Sequence, residues 1–113
     1  MLRKSPPSQT GVSEEGVDTI VSHAHDAAEF LKAISHEGRL MILCHLAAGE
    51  RTVTELEELL SARQAAVSQQ LSRLRLEGLV TPRREGKAIY YRLTDRRAIK
   101  MLEVVYDLFC KQP

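Results

Sequence analysis

Two short helix-period segments separated by only three residues, Ser61 to Arg63, restrict this chain more than any other feature. After Gly78 the apolar period then changes from about 3.6 to about 2, the step from a helix to a strand. The first segment opens on Thr52-Val-Thr-Glu55, the spacing of a capping box in which hydroxyl and carboxylate each satisfy a free backbone N–H, so a helix is expected from about Val53 to Leu60. The second, from about Gln64 to Glu77, turns Val67, Leu71 and Leu74 inward and Gln64, Ala65, Ser68, Gln69, Ser72 and Arg73 outward, with Gly78 as its stop. Beyond it, Leu79-Val-Thr-Pro-Arg83 and Ala88-Ile-Tyr-Tyr-Arg-Leu93 alternate on either side of Arg84-Glu-Gly-Lys87, a hairpin with a glycine-containing turn. Pro82 suits an edge strand, and Arg83, Arg84 and Lys87 make the tip basic.

Three further helices surround this unit. Ser13 caps one expected to run unbroken to about Ile34, with Val17, Ile20, Val21, Ala24, Ala28, Leu31 and Ile34 in a single stripe. A second, from about His36 to Ala48, is apolar around most of its girth and ends at Gly49, so it is the expected core helix. A last helix, Asp95 to about Cys110 with Thr94 as its cap, carries Ala98, Leu102, Val105 and Phe109 in one stripe and Met101, Val104 and Leu108 beside it. Apolar coverage this wide exceeds what one small core needs, so the first and last helices are expected to meet a second copy of the chain. The expected order is four helices, two strands and a helix, a mainly α fold with a small β-hairpin, assembled as a homodimer.

With 113 residues and 43% hydrophobic content, there is enough chain for one core and too little for two. Residues 1–12 read as a disordered arm and 13–113 as one folded domain. The opening MLRKSPPSQTG has no apolar run of signal-peptide length, and no stretch approaches a membrane span, so a cytoplasmic location is expected. In that reducing compartment two cysteines make a poor disulfide framework, which leaves reactive thiols, metal ligation or packing open. Net charge is only +1, but Arg63 to Arg97 holds nine Lys or Arg against three acids. A basic segment on an otherwise mildly acidic chain suits a polyanion-binding face.

Two short helices joined by a three-residue turn and followed by a basic two-stranded hairpin make a winged helix-turn-helix. A helix fits the major groove of duplex DNA, where Gln64, Ser68 and Gln69 would reach base edges, with Ala65 and Ser72 on the same face. Arg73, Arg83, Arg84 and Lys87 would neutralise phosphates. The run FLKAISHEGRLMILCHLAAGERTVTELEELLSARQAAVSQQLSRLRLEGLVTPRREGKAIYYRL resembles the ArsR/SmtB family of small dimeric bacterial repressors. It matches that family in its "LKALs…RL.IL…L" opening and its "aVSqHL..Lr.aGLV..rreG....Y.L" recognition unit. The resemblance implies a homodimer whose first and last helices form the interface and whose two wings straddle a two-fold symmetric operator.

Metal sensing is widespread in that family, yet its two metal motifs are missing. Its Cys-Val-Cys-Asp-Leu motif aligns with Thr52-Val-Thr-Glu-Leu56, and its Asp-x-His start on the last helix aligns with Asp95-Arg-Arg97, with no histidine after His45. His23 and His25 point in different directions on one helix, so no metal site and no cofactor is expected. Cys44 lies on the stripe of Leu40, Leu43 and Ala47, where a free cysteine serves as a small buried apolar residue. The pair of Cys44 in the second helix and Cys110 at the end of the last also resembles the persulfide-sensing branch of the family. That resemblance implies that low-molecular-weight persulfides convert the two thiols into a di- or polysulfide bridge within the subunit, releasing the operator and derepressing sulfide-detoxification genes. A general oxidant-sensing dithiol repressor and a metal-sensing repressor of the same family are the alternatives. An enzyme is not expected, because Cys44 and His45 diverge by about 100° around a helix and cannot form a nucleophile–base pair.

Overall fold

Helix formation starts at Ser13, whose hydroxyl accepts from the Gly16 N–H at 3.0 Å, but the run does not continue unbroken to Ile34. In the structure, a computed structural model that describes residues 7–111, α1 (Glu14–Ser22) and α2 (Ala24–Ile34) are separate helices. The break at His23 has local causes. The Ser22 hydroxyl donates to Thr19 O at 2.7 Å and His23 Nδ1 lies 2.9 Å from that same carbonyl. Such side-chain bonds compete with the helical ladder, and no residue of α1 is buried to hold the two pieces in line. Among the described residues, six helices therefore replace the expected five. Residues 7–12 form neither helix nor strand, and the rest of the expected arm, 1–6, lies outside the described residues.

The centre follows the sequence closely. His36 caps α3 (Glu37–Ala47) through Nδ1, which accepts from Gly38 N–H at 3.0 Å. Thr52 and Glu55 form the capping box of α4 (Val53–Leu60), with Glu55 N–H to Thr52 Oγ1 at 3.1 Å and Thr52 N–H to Glu55 Oε1 at 3.0 Å. Those bonds hold the Glu55 carboxyl below its usual range. Extended backbone at the cap creates an element too short for any alternation to announce: β1 (Arg51–Thr52) pairs with β3 (Ala88–Leu93) at Tyr91 and Tyr90. The sheet is therefore three-stranded, in the order β1-β3-β2, with β2 (Val80–Glu85) on the far side. Gly86, at φ +61, turns the β2–β3 hairpin in the region that glycine tolerates.

α5 (Gln64–Leu76) lies against α4 and α3 through Val67, Leu71 and Leu74, which join Ile42, Leu43, Leu46, Leu56, Leu79 and Val80 in the core. Each such side chain contributes about 1.5–3 kcal/mol by leaving water. α6 (Arg96–Phe109) buries only Ala98. Its cap is Asp95, not Thr94: the Asp95 carboxylate accepts from Arg97 N–H at 2.7 Å and Ala98 N–H at 3.3 Å. The Thr94 hydroxyl is instead 2.9 Å from that of Thr81, and its N–H donates to Leu79 O, so the residue ties the chain leaving β3 to β2 and the residue before it. Among the described residues no helix is long and apolar enough to cross a membrane.

The turn between α4 and α5 holds Ser61 at φ 51°, ψ 41°, left-handed backbone that an L side chain adopts at a cost. Ser61→Gly is expected to stabilise the fold by ~1 kcal/mol, read as an increase in unfolding midpoint in urea. An unchanged midpoint would mean that the turn carries no strain.

Candidate nucleic-acid interface and thiol pair

The helix pair α4–α5 and the β2–β3 hairpin lie side by side. α5 begins at Arg63, whose side chain makes no capping bond, and no acid sits in its first turn, so its leading N–H groups and positive dipole end face outward. Gln64, Ala65, Gln69, Ser72 and Arg73 are exposed and Ser68 is half-buried on this helix, on the side away from the buried Val67, Leu71 and Leu74. Arg73 is partly engaged with Glu77 at 3.4 Å.

The basic residues of the wing do different things. Arg83 is held by Glu50 at 2.8 Å and Glu85 at 2.7 Å, and its guanidinium lies 5.0 Å from the centre of the Tyr90 ring. Its bonds to Glu50, then Glu85, push its pKa up. Arg83 therefore clamps the hairpin to the loop after α3, and Glu50, at 33 residues' separation, gave no sequence signal of that role. Arg84 projects from the other face of β2, lining with Arg75, Pro82, Ile89 and Tyr91 a cleft of about 250 Å³ between α5 and the wing. Arg75, which the sequence reading left out, thus shares a cleft with Arg84. Among the described residues neither Arg84 nor Lys87 has an ion-pair partner.

Arg84→Ala or Lys87→Ala is expected to weaken duplex binding across all sequences and to reduce the slope of log K against log salt by about 1 for each wing changed. Arg83→Ala should alter that slope less. Titrations at several salt concentrations decide this, and equal slope changes for all three would abolish the distinction between clamp and contact.

Cys44 is exposed, contrary to its expected place on a buried stripe. Leu43 is buried, but Cys44 and Ala47 turn toward α6, which packs against α3 and leaves that side open. Cys110, also exposed, is the C-cap of α6, with its N–H on Tyr106 O at 2.9 Å. Ala47, one turn after Cys44, shares a cleft with Tyr106 and Asp107, one turn before Cys110. The two cysteines thus occupy the same α3–α6 seam. Partial burial first, and the charge of Cys110 second, push the Cys44 thiol up. Removing the second cause in Cys110→Ser should let Cys44 ionise at lower pH, so that its alkylation by iodoacetamide quickens in the alkaline range, where a neighbouring thiol would itself be charged. A rate–pH profile unchanged from wild type would show that the two sulfurs do not sense each other. Among the described residues no three His, Cys, Asp or Glu side chains cluster as metal ligands.

A recognition helix with an open polar face, beside a clamped basic hairpin, defines a winged helix-turn-helix DNA-binding protein. Residues 36–81 match the family described as "Bacterial regulatory protein, arsR family". The chain is 42% identical over 99 residues to the biofilm growth-associated repressor of Agrobacterium fabrum, covering 88% of this chain and 85% of that protein. It is 40% identical over 85 residues to the transcriptional activator HlyU of Vibrio cholerae, covering 75% and 79%. The crystal structure of the transcriptional repressor BigR from Xylella fastidiosa superposes with a TM-score of 0.80 at 41% identity, covering 85% of this chain and 98% of that one. This protein belongs to the bacterial arsR family and is a DNA-binding transcriptional regulator.

Proposed function

We propose that this protein is a dimeric, cytoplasmic repressor that binds a two-fold symmetric operator and is released when Cys44 and Cys110 react with low-molecular-weight persulfides. The observation that carries the reading is the thiol pair itself: two exposed cysteines on the one seam between α3 and α6. The likeness to the biofilm growth-associated repressor and to BigR supports repression as the sign of control. Gln64, Ser68 and Gln69 read bases, Ala65 and Ser72 line the same contact, and Arg73, Arg84 and Lys87 hold phosphates, with Arg83 fixing the wing.

The chemistry balances with the persulfide as oxidant. A Cys44 thiolate attacks the terminal sulfur of R–S–SH; R–S⁻ leaves and takes up a proton, leaving a persulfide on Cys44. The Cys110 thiolate then attacks the Cys44 sulfur and expels hydrosulfide, closing a disulfide; a further sulfur transfer before closure gives a longer bridge. Cellular thiols reverse the process by exchange.

Fully reduced protein, kept from oxygen, is exposed in parallel to an organic persulfide, hydrogen peroxide and oxidised glutathione, and examined by intact and peptide mass. Gain of whole sulfur atoms with a Cys44–Cys110 cross-link in the persulfide arm alone is expected. Equal cross-linking by peroxide would make the protein a general dithiol sensor, and unmodified thiols in all three arms would remove the sensing reading.

A further inference from the structure

Among the described residues, one side-chain hydrogen bond joins the recognition helix α5 to any other element: Arg39 Nη1 to Gln70 Oε1, at 3.1 Å. Everything else that holds α5 against α3 and α4 is apolar, chiefly Val67, Leu71 and Leu74. Apolar contact is non-directional, so it fixes how far α5 stands from its neighbours better than how it is rotated about its axis. The Arg39 guanidinium supplies direction, because its donors lie in a rigid planar fork. The other limbs of that fork are committed elsewhere: Nε donates to Ala33 O, and Nη2 to Lys32 O at 3.0 Å. Those carbonyls lie in the last turn of α2, where Lys32 O also accepts from the Ser35 N–H at 3.4 Å and the Ser35 hydroxyl at 3.1 Å. Arg39, half-buried on α3, is therefore a three-way junction between the end of α2, the core helix and the recognition helix.

We infer that Arg39 and Gln70 are a positioning pair for operator recognition: the junction sets the rotation of α5 so that Gln64, Ser68 and Gln69 meet base edges, and it references that rotation to α2. Met41, Leu60, Ala62, Ala66 and Val67 line with Gln70 a cleft of about 150 Å³, so the side of α5 that carries Gln70 is incompletely filled and leaves space for a small rotation once the bond is lost. Phosphate contacts tolerate a small rotation, whereas bonds to base edges do not, so the pair should govern specificity more than overall affinity. This inference rests on DNA binding and not on thiol chemistry.

The test uses full-length reduced protein, an operator duplex selected by that protein from a random pool, and a scrambled duplex of equal length. Gln70→Leu removes the acceptor while keeping helix propensity; Arg39→Lys keeps the charge without the fork. Each should lower the ratio of operator to scrambled-duplex affinity about tenfold, with affinity for the scrambled duplex within about twofold of wild type. The double variant should lose no more than Arg39→Lys alone, because the bond to Gln70 is already absent there. A purely structural role would weaken both duplexes together, in step with the unfolding midpoint, and would overturn the inference, as would losses that multiply in the double variant. Should Arg39→Lys not fold, Gln70→Glu replaces it: its carboxylate still accepts from Arg39, and its added charge repels both duplexes alike. Glu must then retain more of the specificity ratio than Leu; equal ratios for Glu and Leu would refute the pairing.

Discussion

Bridging Cys44 to Cys110 is expected to lower operator affinity about a hundredfold, while Cys44→Ser and Cys110→Ser each bind the operator as wild type does and ignore persulfide. A hundredfold change corresponds to about 2.7 kcal/mol of differential stability between the binding and released arrangements, within reach of one cross-link. The cross-link is directional. A disulfide holds its Cα atoms about 4.4–6.8 Å apart, so a closed bridge fixes the exposed end of α6 against α3. α3 carries the Arg39 junction to the recognition helix, and α6 carries apolar side chains turned away from the monomer's own core. Movement along their seam thus alters both the setting of α5 and the spacing of two copies, and a two-fold site tolerates only one spacing. Fluorescence anisotropy with reduced and anaerobically bridged protein, at one fixed salt concentration, measures the effect. Equal affinities for the two forms would leave the bridge chemically real and without regulatory consequence.

The recognition unit was legible in the sequence because its signals are local. A capping box at Thr52 and Glu55, a three-residue turn, a stop at Gly78 and a change of period each act over a few residues, and each survives in the structure. Features that depend on contact between distant residues were not legible. The Arg83–Glu50 clamp and the Arg39–Gln70 bond span 33 and 31 positions, and neither Glu50 nor Gln70 looks special in its own neighbourhood. β1 was hidden by its length of two residues, and the break at His23 by hydrogen bonds from Ser22 and His23 that apolar periodicity does not register. Cys44 shows another limit. On a helix apolar all round, periodicity does not say which side faces out, so a buried stripe was expected where the chain leaves an open seam.

Charging the outer side of α6 is expected to abolish dimerisation and, with it, tight operator binding. Val104 is 46% exposed and Leu108 71% exposed, while Val17, Ile20 and Val21 of α1 are comparably bare. α1 buries nothing, and α6 sets Ala98, Met101 and Leu102 on the core while its remaining apolar side chains stay largely bare. Leaving such surface in water forgoes about 25 cal/mol for each Å² a partner would cover. In Val104→Asp with Leu108→Asp, association would have to desolvate two carboxylates per chain, a penalty of several kcal/mol for each charge buried. Both positions lie outside the hydrophobic core, so the helical far-ultraviolet signal should persist at concentrations where sedimentation reports a monomer. A monomer reads one half-site. Without the second, the avidity of two linked recognition helices is lost, and operator affinity should fall by about 10²–10⁴ while weak, salt-sensitive contact with duplex DNA remains. If the double variant still sedimented as a dimer, the subunit contact would lie on another surface, and the bridge between Cys44 and Cys110 would have to act on the recognition helix through Arg39 alone.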